Sequence, residues 1–270
     1  MDAKIEARDA IMSIPAFSGF STVISLPKMS DVELEQAVTY EAKKYIPLPL
    51  AEVQFEWMRI GSTQGLIVAV TNELVHRYEE IAKLSGLNLA HLELDSFSLA
   101  RALGGESASL IIDIGARDTV LLISENGWPT LSRTVQVSGY ELTRLLSTSL
   151  GIDFLRAEEL KKKQGLNTGS DVVLPLLDSI LMEGRRLIEE YESALRQAGE
   201  KSAKVSKVIL SGGTAAMSGI SRHAAQSTGK EVIIAFPFRG MIYPGELEAT
   251  LRDIGPSFAV AAGLALRELR

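Results

Sequence analysis

The sequence predicts an α/β protein that carries a smaller α+β unit in its front third. Two apolar runs, 110–112 and 208–210, are short, contain β-branched residues and each lead into a glycine-containing turn, as buried strands do. A third observation is helical periodicity, clearest over 171–198, where apolar residues recur on one broad face. Strands that alternate with helices in this way are typical of α/β folds.

The front third, up to about residue 92, contains enough elements for an α+β unit of its own. Two strand-like pieces lie between Ala10 and Pro27, and a helix capped by Ser30 follows them. The apolar face of this helix is predicted to carry Leu34, Val38, Ala42 and Tyr45, and Pro47 and Pro49 end it. Further strands are predicted over 53–60, 66–71 and 87–94, with a second helix capped by Asn72 and closed by Gly86.

The composition excludes several classes of function. The formal net charge of the 270 residues is −6, so the chain as a whole has no positive field for nucleic acid or anionic lipid. There is no cysteine, which excludes disulfides, thiol catalysis and thiolate metal sites, and the three scattered histidines lack the spacing of metal ligands. Met1–Ala10 is charged, unlike a signal peptide, and the apolar run 257–266 is shorter than the roughly 18–20 residues of a membrane span. We therefore expect a cytoplasmic protein that does not insert into a membrane.

A strand–turn–strand segment over 109–127 is the first candidate binding site. Asp113 stands where the first strand meets the turn, and Gly115-Ala116 keeps the turn small enough for its N–H groups to approach an anion. An acid in this position suits a phosphate held through hydrated Mg²⁺. An ordinary hairpin, whose aspartate only caps the turn, explains the segment equally well on its own. Asn126-Gly127 predicts a tight hairpin turn at the far end.

A second glycine motif, Ser211-Gly212-Gly213-Thr214, follows the strand over 208–210 and precedes a helix. Bare backbone at this point can lie against a ligand in the crevice where α/β folds bind them, although a tight turn that needs glycine is the simpler interpretation. The helix over 154–164 contains Glu158 and Lys161, and here a solvated face of ion pairs is the simpler interpretation. The three motifs together, in this order, are stronger evidence for a ligand-binding site than any of them alone.

Four segments, taken in order along the chain, resemble the actin-like ATPase superfamily. They are IIDIGARDTVLLI, RAEELKKKQG, VILSGGTAAMSGI and PSFAVAAGLALREL. The front segment ISLPKMSDVELEQAVTYEAKKYIPLPLAEVQFEW is similar to the small inserted subdomain of the type IV pilus assembly family PilM, and YEAKKYIPLPL is its most specific piece. The cell-division family FtsA shares the insertion but matches this segment less well. The resemblance covers nearly the whole chain.

The resemblance implies an actin-like (ribonuclease H-like) two-lobed fold with a small inserted α+β subdomain. It implies an SHS2-like inserted subdomain with its entry strand over 1–92, a remnant of the first lobe over 93–107 and 255–270, and a second lobe over 108–254. Family members begin with a first phosphate loop, whereas this sequence opens at MDAKIEARDAIMSIP. We therefore expect an N-terminally incomplete fold, either truncated or completed by a hairpin from another chain.

The resemblance also implies ATP and Mg²⁺ as ligands. Asp113 would hold Mg²⁺ through water, Glu158 and Lys161 would flank the ribose and base, and the Gly-Gly turn would form the adenosine pocket. The implied nucleotide-binding set is Asp113, Gly115, Ala116, Thr119, Glu158, Lys161, Gly212, Gly213 and Thr214.

The function implied is a cytoplasmic scaffold of a type IV pilus or related secretion machine. It would dock the cytoplasmic tail of a PilN-like inner-membrane assembly protein, which would recruit it to the membrane, with ATP as a structural or switching ligand. The implied docking residues are Tyr40, Tyr45, Ile46, Pro47 and Leu48, although core packing is the expected fate of at least Tyr45.

Two alternatives from other classes stay open. An ATPase or phosphotransferase of the same fold would use Asp113 to hold Mg²⁺ or orient the nucleophile, and it needs both phosphate loops and a carboxylate near the acceptor. An FtsA-like filament protein with its own anchor would need a basic amphipathic tail, for which 266–270 is too short. We expect the scaffold rather than either alternative.

Overall fold

Three β-sheets organise the chain in a computed structural model that describes residues 6–26, 31–60, 64–167, 170–199 and 204–267. The chain divides into two compact units, Met1–Asp95 and Ser96–Arg270. Ser30, the predicted cap of the first helix, lies outside the described residues.

The described residues of the first unit form two of the sheets and two α-helices. Its elements are β1 (Asp9–Ile14), β2 (Gly19–Ser25), α1 (Asp31–Tyr45), β3 (Val53–Arg59), β4 (Gln64–Thr71), α2 (Asn72–Leu84) and β5 (Asn88–Leu94). Strands β2, β4 and β3 form an antiparallel sheet with β4 in the centre, and β1 pairs in parallel with β5. The buried side of the antiparallel sheet packs on α1 through Leu34, Val38, Ala42 and Ile46.

The second unit is built on one five-stranded sheet. Its strands are β6 (Ser109–Ile114), β7 (Thr119–Glu125), β8 (Trp128–Val135), β9 (Lys207–Ser211) and β10 (Glu231–Ile234), in the spatial order β10-β9-β6-β7-β8. Its helices are α3 (Asp95–Leu103), α4 (Gly139–Leu150), α5 (Phe154–Gln164), α6 (Ser170–Gln197), α7 (Ile220–Thr228), α8 (Glu248–Ile254) and α9 (Ala259–Ala265). Parallel strands β10, β9 and β6 and antiparallel strands β6, β7 and β8 share this sheet.

Side chains that alternate along the strands supply a core on each face of this sheet. Leu110 and Ile112 face the side covered by α4, α6 and α7, whereas Ile111 faces the side covered by α3 and α9. Close packing explains the glycine at position 184 inside α6, because a Cβ there would lie 3.1 Å from the Leu110 side chain. The apolar runs seen in the sequence are therefore strands covered by helices on both faces.

Helices α3 and α9 cross with their backbones in contact. A Cβ placed on Gly263 of α9 would lie 2.0 Å from the Ser98 carbonyl oxygen of α3, so this position admits only glycine. Arg101 fixes the crossing with a 2.8 Å hydrogen bond from its guanidinium to the Gly263 carbonyl.

Several local predictions are confirmed and others are wrong. Asn126 and Gly127 both have positive φ, as the predicted tight hairpin turn requires. Thr71, not Asn72, caps α2, because its hydroxyl accepts the Leu74 N–H while the Asn72 amide donates to the Ala51 carbonyl. The predicted final helix is broken, since 255–258 forms a 3-10 turn and α9 begins only at Ala259. None of the helices in the described part of the chain combines the length and apolar character needed to cross a membrane.

Candidate functional site

The two glycine motifs lie side by side at one edge of the five-stranded sheet. Strands β6 and β9 are parallel neighbours, and Asp113 pairs in register with Ser211. The turn after Asp113 and the Gly-Gly turn after Ser211 therefore leave the carboxyl ends of adjacent strands. Ligands of open α/β sheets bind at this edge.

Asp113 is a partly buried carboxyl at the end of β6. Burial raises its pKa to about 6, the nearby charge of Asp118 adds to the effect, and a hydrogen bond with Ser211 opposes it. Burial also raises the pKa of Asp118. The fold thus disfavours the ionised form of this carboxyl group. A bound cation would stabilise that form.

The turn that follows Asp113 is pinned to the start of α4. The Gly115 N–H closes the turn on the Asp118 carbonyl at 2.9 Å, and the Gly139 N–H donates to the Gly115 carbonyl at 2.8 Å. The Tyr140 N–H donates to the Ala116 carbonyl at 3.2 Å. Within the described residues, the N–H groups of Ala116 and Arg117 have no backbone acceptor, so both can donate to an anion.

Lys161 is buried, with 5% exposure, and its ammonium group links α5 to α4. The Nζ atom donates to the Gly139 carbonyl at 2.9 Å and to Thr143 Oγ1 at 2.8 Å, and it pairs with Glu158 at 2.7 Å. Three oxygen partners match the three N–H donors of an ammonium. A ligand contact from Lys161 would therefore have to displace one of them.

Glu158 lies at the exposed end of this network. Thr143 donates a hydrogen bond to it, and Lys162 forms an ion pair with its other oxygen at 3.3 Å. Burial alone would raise the pKa of Glu158, but hydrogen bonds from Lys161 and Thr143 outweigh burial and lower it. The carboxylate therefore stays ionised and remains partly open to solvent.

At one position of the Gly-Gly turn the backbone conformation requires glycine, and at the other a side chain would face open space. Gly212 has φ of +82°, and a Cβ there would lie 2.3 Å from the Ile114 carbonyl oxygen. Its N–H donates to the Pro256 carbonyl at 2.9 Å. Gly213 is exposed, and a Cβ there would meet only the Ser257 hydroxyl at 3.5 Å. Gly213 thus presents bare backbone to the crevice.

The structure brings together most of the nine residues of the predicted nucleotide set. The turn residues Gly115 and Ala116 lie beside Gly139, and Thr214 does too, since its hydroxyl is 2.7 Å from where a Gly139 Cβ would stand. Thr119 is buried and donates to the Val137 carbonyl at 2.7 Å, which supports the loop before α4 instead of facing the crevice.

Sequence reasoning missed three residues that join these pieces, namely Asp118, Gly139 and Thr143, and it placed Ser211 in the glycine motif without assigning it a contact. One local signal pointed to Thr143, which follows Gly139 by one helical turn and whose hydroxyl oxygen lies 2.9 Å from the Gly139 carbonyl oxygen. Within the described ranges, no group of three or more His, Cys, Asp or Glu side chains could hold a metal ion. A metal at Asp113 would thus depend on water and on its ligand for most of its coordination.

The end of α1 in the first unit carries the predicted docking residues. Tyr40, Tyr45 and Leu48 are exposed at 67%, 44% and 42%, and Pro47 is exposed as well. We call these four residues the docking face. The prediction that Tyr45 packs in the core was wrong, because Ile46, at 6% exposure, occupies the core position instead. Lys44 pairs with Glu41 and lies 5.6 Å from the Tyr40 ring centroid.

Comparison with known protein families shows which family this chain belongs to. The family profile described as "Type IV pilus assembly protein PilM" matches residues 2–269. The chain belongs to the PilM family. Among solved structures, the "PilM-PilN type IV pilus biogenesis complex" contains a chain similar to this one at 26% identity with a TM-score of 0.80. The match covers 99% of this chain and 82% of that one.

More distant structures share the fold of this PilM-family chain. The ethanolamine utilization protein EutJ from Carboxydothermus hydrogenoformans is 25% identical with a TM-score of 0.53, over 72% of this chain and 60% of that one. MreB5 of Spiroplasma citri bound to AMPPNP is 17% identical with a TM-score of 0.55, over 89% and 76%. These likenesses show that the PilM-family chain has the actin-like ATPase fold, which confirms the predicted α/β class.

Proposed function

We propose that this PilM-family protein is a cytoplasmic scaffold of type IV pilus assembly that binds the cytoplasmic tail of a PilN-like inner-membrane protein. The observation that carries the proposal is the likeness, over 99% of this PilM-family chain, to a chain of the PilM–PilN complex. Recruitment to the inner membrane would then come from the partner.

The docking face is the surface that we assign to this tail. Its aromatic and apolar side chains are exposed within one short stretch of sequence, 40–48, and aromatic residues are enriched at protein-binding surfaces. Lys43 and Lys44, both exposed, adjoin it. The chemistry favours a tail segment with apolar anchors and an acidic residue.

A nucleotide with Mg²⁺ fits the edge of the sheet where β6 and β9 end. The carboxyl of Asp113, the N–H groups of Ala116 and Arg117, and the open backbone of Gly213 are the groups that would hold it. Bound Mg²⁺ would supply charge compensation for phosphate. We propose that the nucleotide is a structural or switching ligand of the scaffold, acting through its differential affinity for two conformations.

Fluorescence anisotropy with a labelled peptide of the PilN cytoplasmic tail from the same organism tests the docking assignment. The wild-type protein is expected to bind it saturably, and Tyr40→Ala and Leu48→Ala are each expected to weaken binding at least fivefold. Leu84→Ala is the matched control, because Leu84 is an exposed leucine on α2 of the same unit. An equal loss in all three variants, or no binding by the wild type, would contradict the proposal.

Calorimetric titration with Mg·ATP tests the nucleotide part separately. Gly213→Asp places a carboxylate in the crevice without a steric clash, so it is expected to reduce affinity at least tenfold through charge repulsion with phosphate. Gly245→Asp is the control, because Gly245 also has open space around its Cβ position. If the wild type binds no nucleotide while the tail peptide still binds, the scaffold stands and the nucleotide role falls.

A further inference from the structure

A groove between α6 and α7 has no role in the proposed function. It has a volume of about 570 Å³, and the α6 residues along it run from Pro175 to Arg185. At 1.5 Å per helical residue this stretch is about 15 Å long. An extended peptide covers that length with roughly four to five residues at about 3.3 Å each. None of the nine predicted nucleotide residues lines the groove.

One end of the groove carries a positive charge without a carboxylate partner. The Arg185 guanidinium donates to the Ser227 carbonyl at 3.0 Å and forms no ion pair with any of the residues described. Its neighbour Arg186, by contrast, pairs with Glu183. A guanidinium has five N–H donors, so Arg185 retains several for a ligand. The chemistry that complements it is a carboxylate.

The acidic side chain in the groove, Asp178, already has a hydrogen-bond partner there. The Asp178 carboxylate accepts a hydrogen bond from His223 Nε2 at 2.7 Å, which links α6 to α7. Asp178 lies two helical turns before Arg185, about 10 Å along the axis of α6. Arg185 is therefore available to an anionic group of a ligand, even though an acidic residue belongs to the same groove.

The remaining lining suits a peptide. Pro175 and the exposed side chain of Met182 provide apolar surface, and methionine adapts to varied partners. Gln226 is exposed and has no hydrogen-bond partner in the described part of the chain, so its amide can both donate to and accept from a peptide backbone.

We propose that the α6–α7 groove binds an extended acidic segment of a partner protein. The segment would place one carboxylate on Arg185 and an apolar side chain on Met182, with its backbone on Gln226. This second protein-binding site belongs to the second unit, whereas the docking face belongs to the first. It uses no residue of the docking face or of the nucleotide set, so its test is independent of the proposed function.

Methyl NMR of protein labelled at methionine tests the proposal, with Met182 as the reporter. The probes are acetyl-Ala-Leu-Ala-Glu-Ala-amide and its reversed order, acetyl-Ala-Glu-Ala-Leu-Ala-amide, each with a counterpart in which glutamine replaces glutamate. At least one glutamate peptide is expected to shift the Met182 methyl resonance saturably and to bind at least threefold more tightly than its glutamine counterpart.

Variants at adjacent arginines identify the contact. Arg185→Gln is expected to lower affinity for the glutamate peptide to that of the glutamine peptide, whereas Arg185→Lys retains part of it. Arg186→Gln, outside the groove lining, is expected to leave affinity within 1.5-fold. The proposal is overturned if the glutamine peptides bind equally well, if Arg186→Gln has the same effect as Arg185→Gln, or if no peptide shifts Met182 saturably.

Discussion

Lys161 donates a 2.9 Å hydrogen bond to the carbonyl of Gly139, the first residue of α4. The same Gly139 donates its N–H to Gly115 in the turn after β6. Through this one residue, the charged side chain of α5 is linked to the turn beside Asp113. The Glu-x-x-Lys pair thus supports the turn beside Asp113 from within the protein.

Lys161→Met is expected to destabilise the protein by about 2–4 kcal/mol, because it leaves the Gly139 carbonyl without its donor and removes the buried partner of Glu158. Urea denaturation measures the loss. Lys162→Met is the control, because Lys162 is exposed and its ion pair with Glu158 is expected to contribute less than about 0.5 kcal/mol. Similar losses in the two variants would contradict the structural role of Lys161.

Asp113→Asn is expected to stabilise the protein above pH 6. The folded pKa is raised to about 6, so the folded state holds a proton that the unfolded state releases near pH 4. Stability is therefore lost as the pH rises from about 4 to about 6, and the loss is complete above that range. The full effect is roughly 2–3 kcal/mol at 1.36 kcal/mol per pKa unit.

Urea denaturation of both proteins between pH 4 and pH 8 checks this expectation. The difference between Asp113→Asn and wild type should shrink toward zero as the pH falls to about 4. Asp253→Asn, which changes an exposed carboxylate in the same unit, should give no such trend. A wild type more stable than Asp113→Asn at pH 8, without added metal, would show that the charge is already compensated.

The two glycines of the Gly-Gly turn are expected to respond differently to alanine. Gly212→Ala combines a positive φ with a contact of 2.3 Å between the new Cβ and the Ile114 carbonyl, so it should cost at least about 2–4 kcal/mol. Gly213→Ala adds a methyl group in nearly open space and should cost less than about 1 kcal/mol. Thermal unfolding of the two variants compares them directly, and equal midpoints would contradict the geometry of the turn.

Tyr45 and Ile46 are neighbours with opposite roles. Ile46→Ala is expected to cost about 2–4 kcal/mol of folding stability, because the side chain belongs to the core under α1. Tyr45→Ala should change stability by less than about 0.5 kcal/mol and should instead weaken binding of the PilN tail peptide. Chemical denaturation and anisotropy on the same samples separate these effects, and a Tyr45→Ala variant that unfolds early would show that Tyr45 packs in the core.

The positions of Tyr45 and Ile46 also show where helical periodicity stops being informative. Leu34, Val38 and Ala42 were predicted on the buried face of α1 and are buried. A period of 3.6 places both of the next residues near the same face, so the pattern could not choose between them. The choice is made at the end of the helix, where the chain turns into Pro47 and Ile46 packs into the core.

Contacts between distant segments explain the other failures. The Glu158–Lys161 spacing looks the same in sequence whether the lysine is solvated or buried, because only the packing of α4 against α5 supplies the Gly139 and Thr143 oxygens. The final helix is interrupted where the Pro256 carbonyl accepts hydrogen bonds from the Gly212 N–H and the Ser211 hydroxyl. The strands and their glycine turns were predictable, since short-range chemistry determines them.

The crossing of α3 and α9 at Gly263 limits how this protein can be divided into fragments. These two helices come from opposite ends of the second unit, and together they cover the sheet face formed by Ile111, Val120, Leu122 and Ile209. A fragment trimmed to the sheet and the helices of the other face would leave this apolar surface in water and would aggregate. The smallest stretch that can be expressed alone therefore has to begin by residue 96 and extend at least through α9.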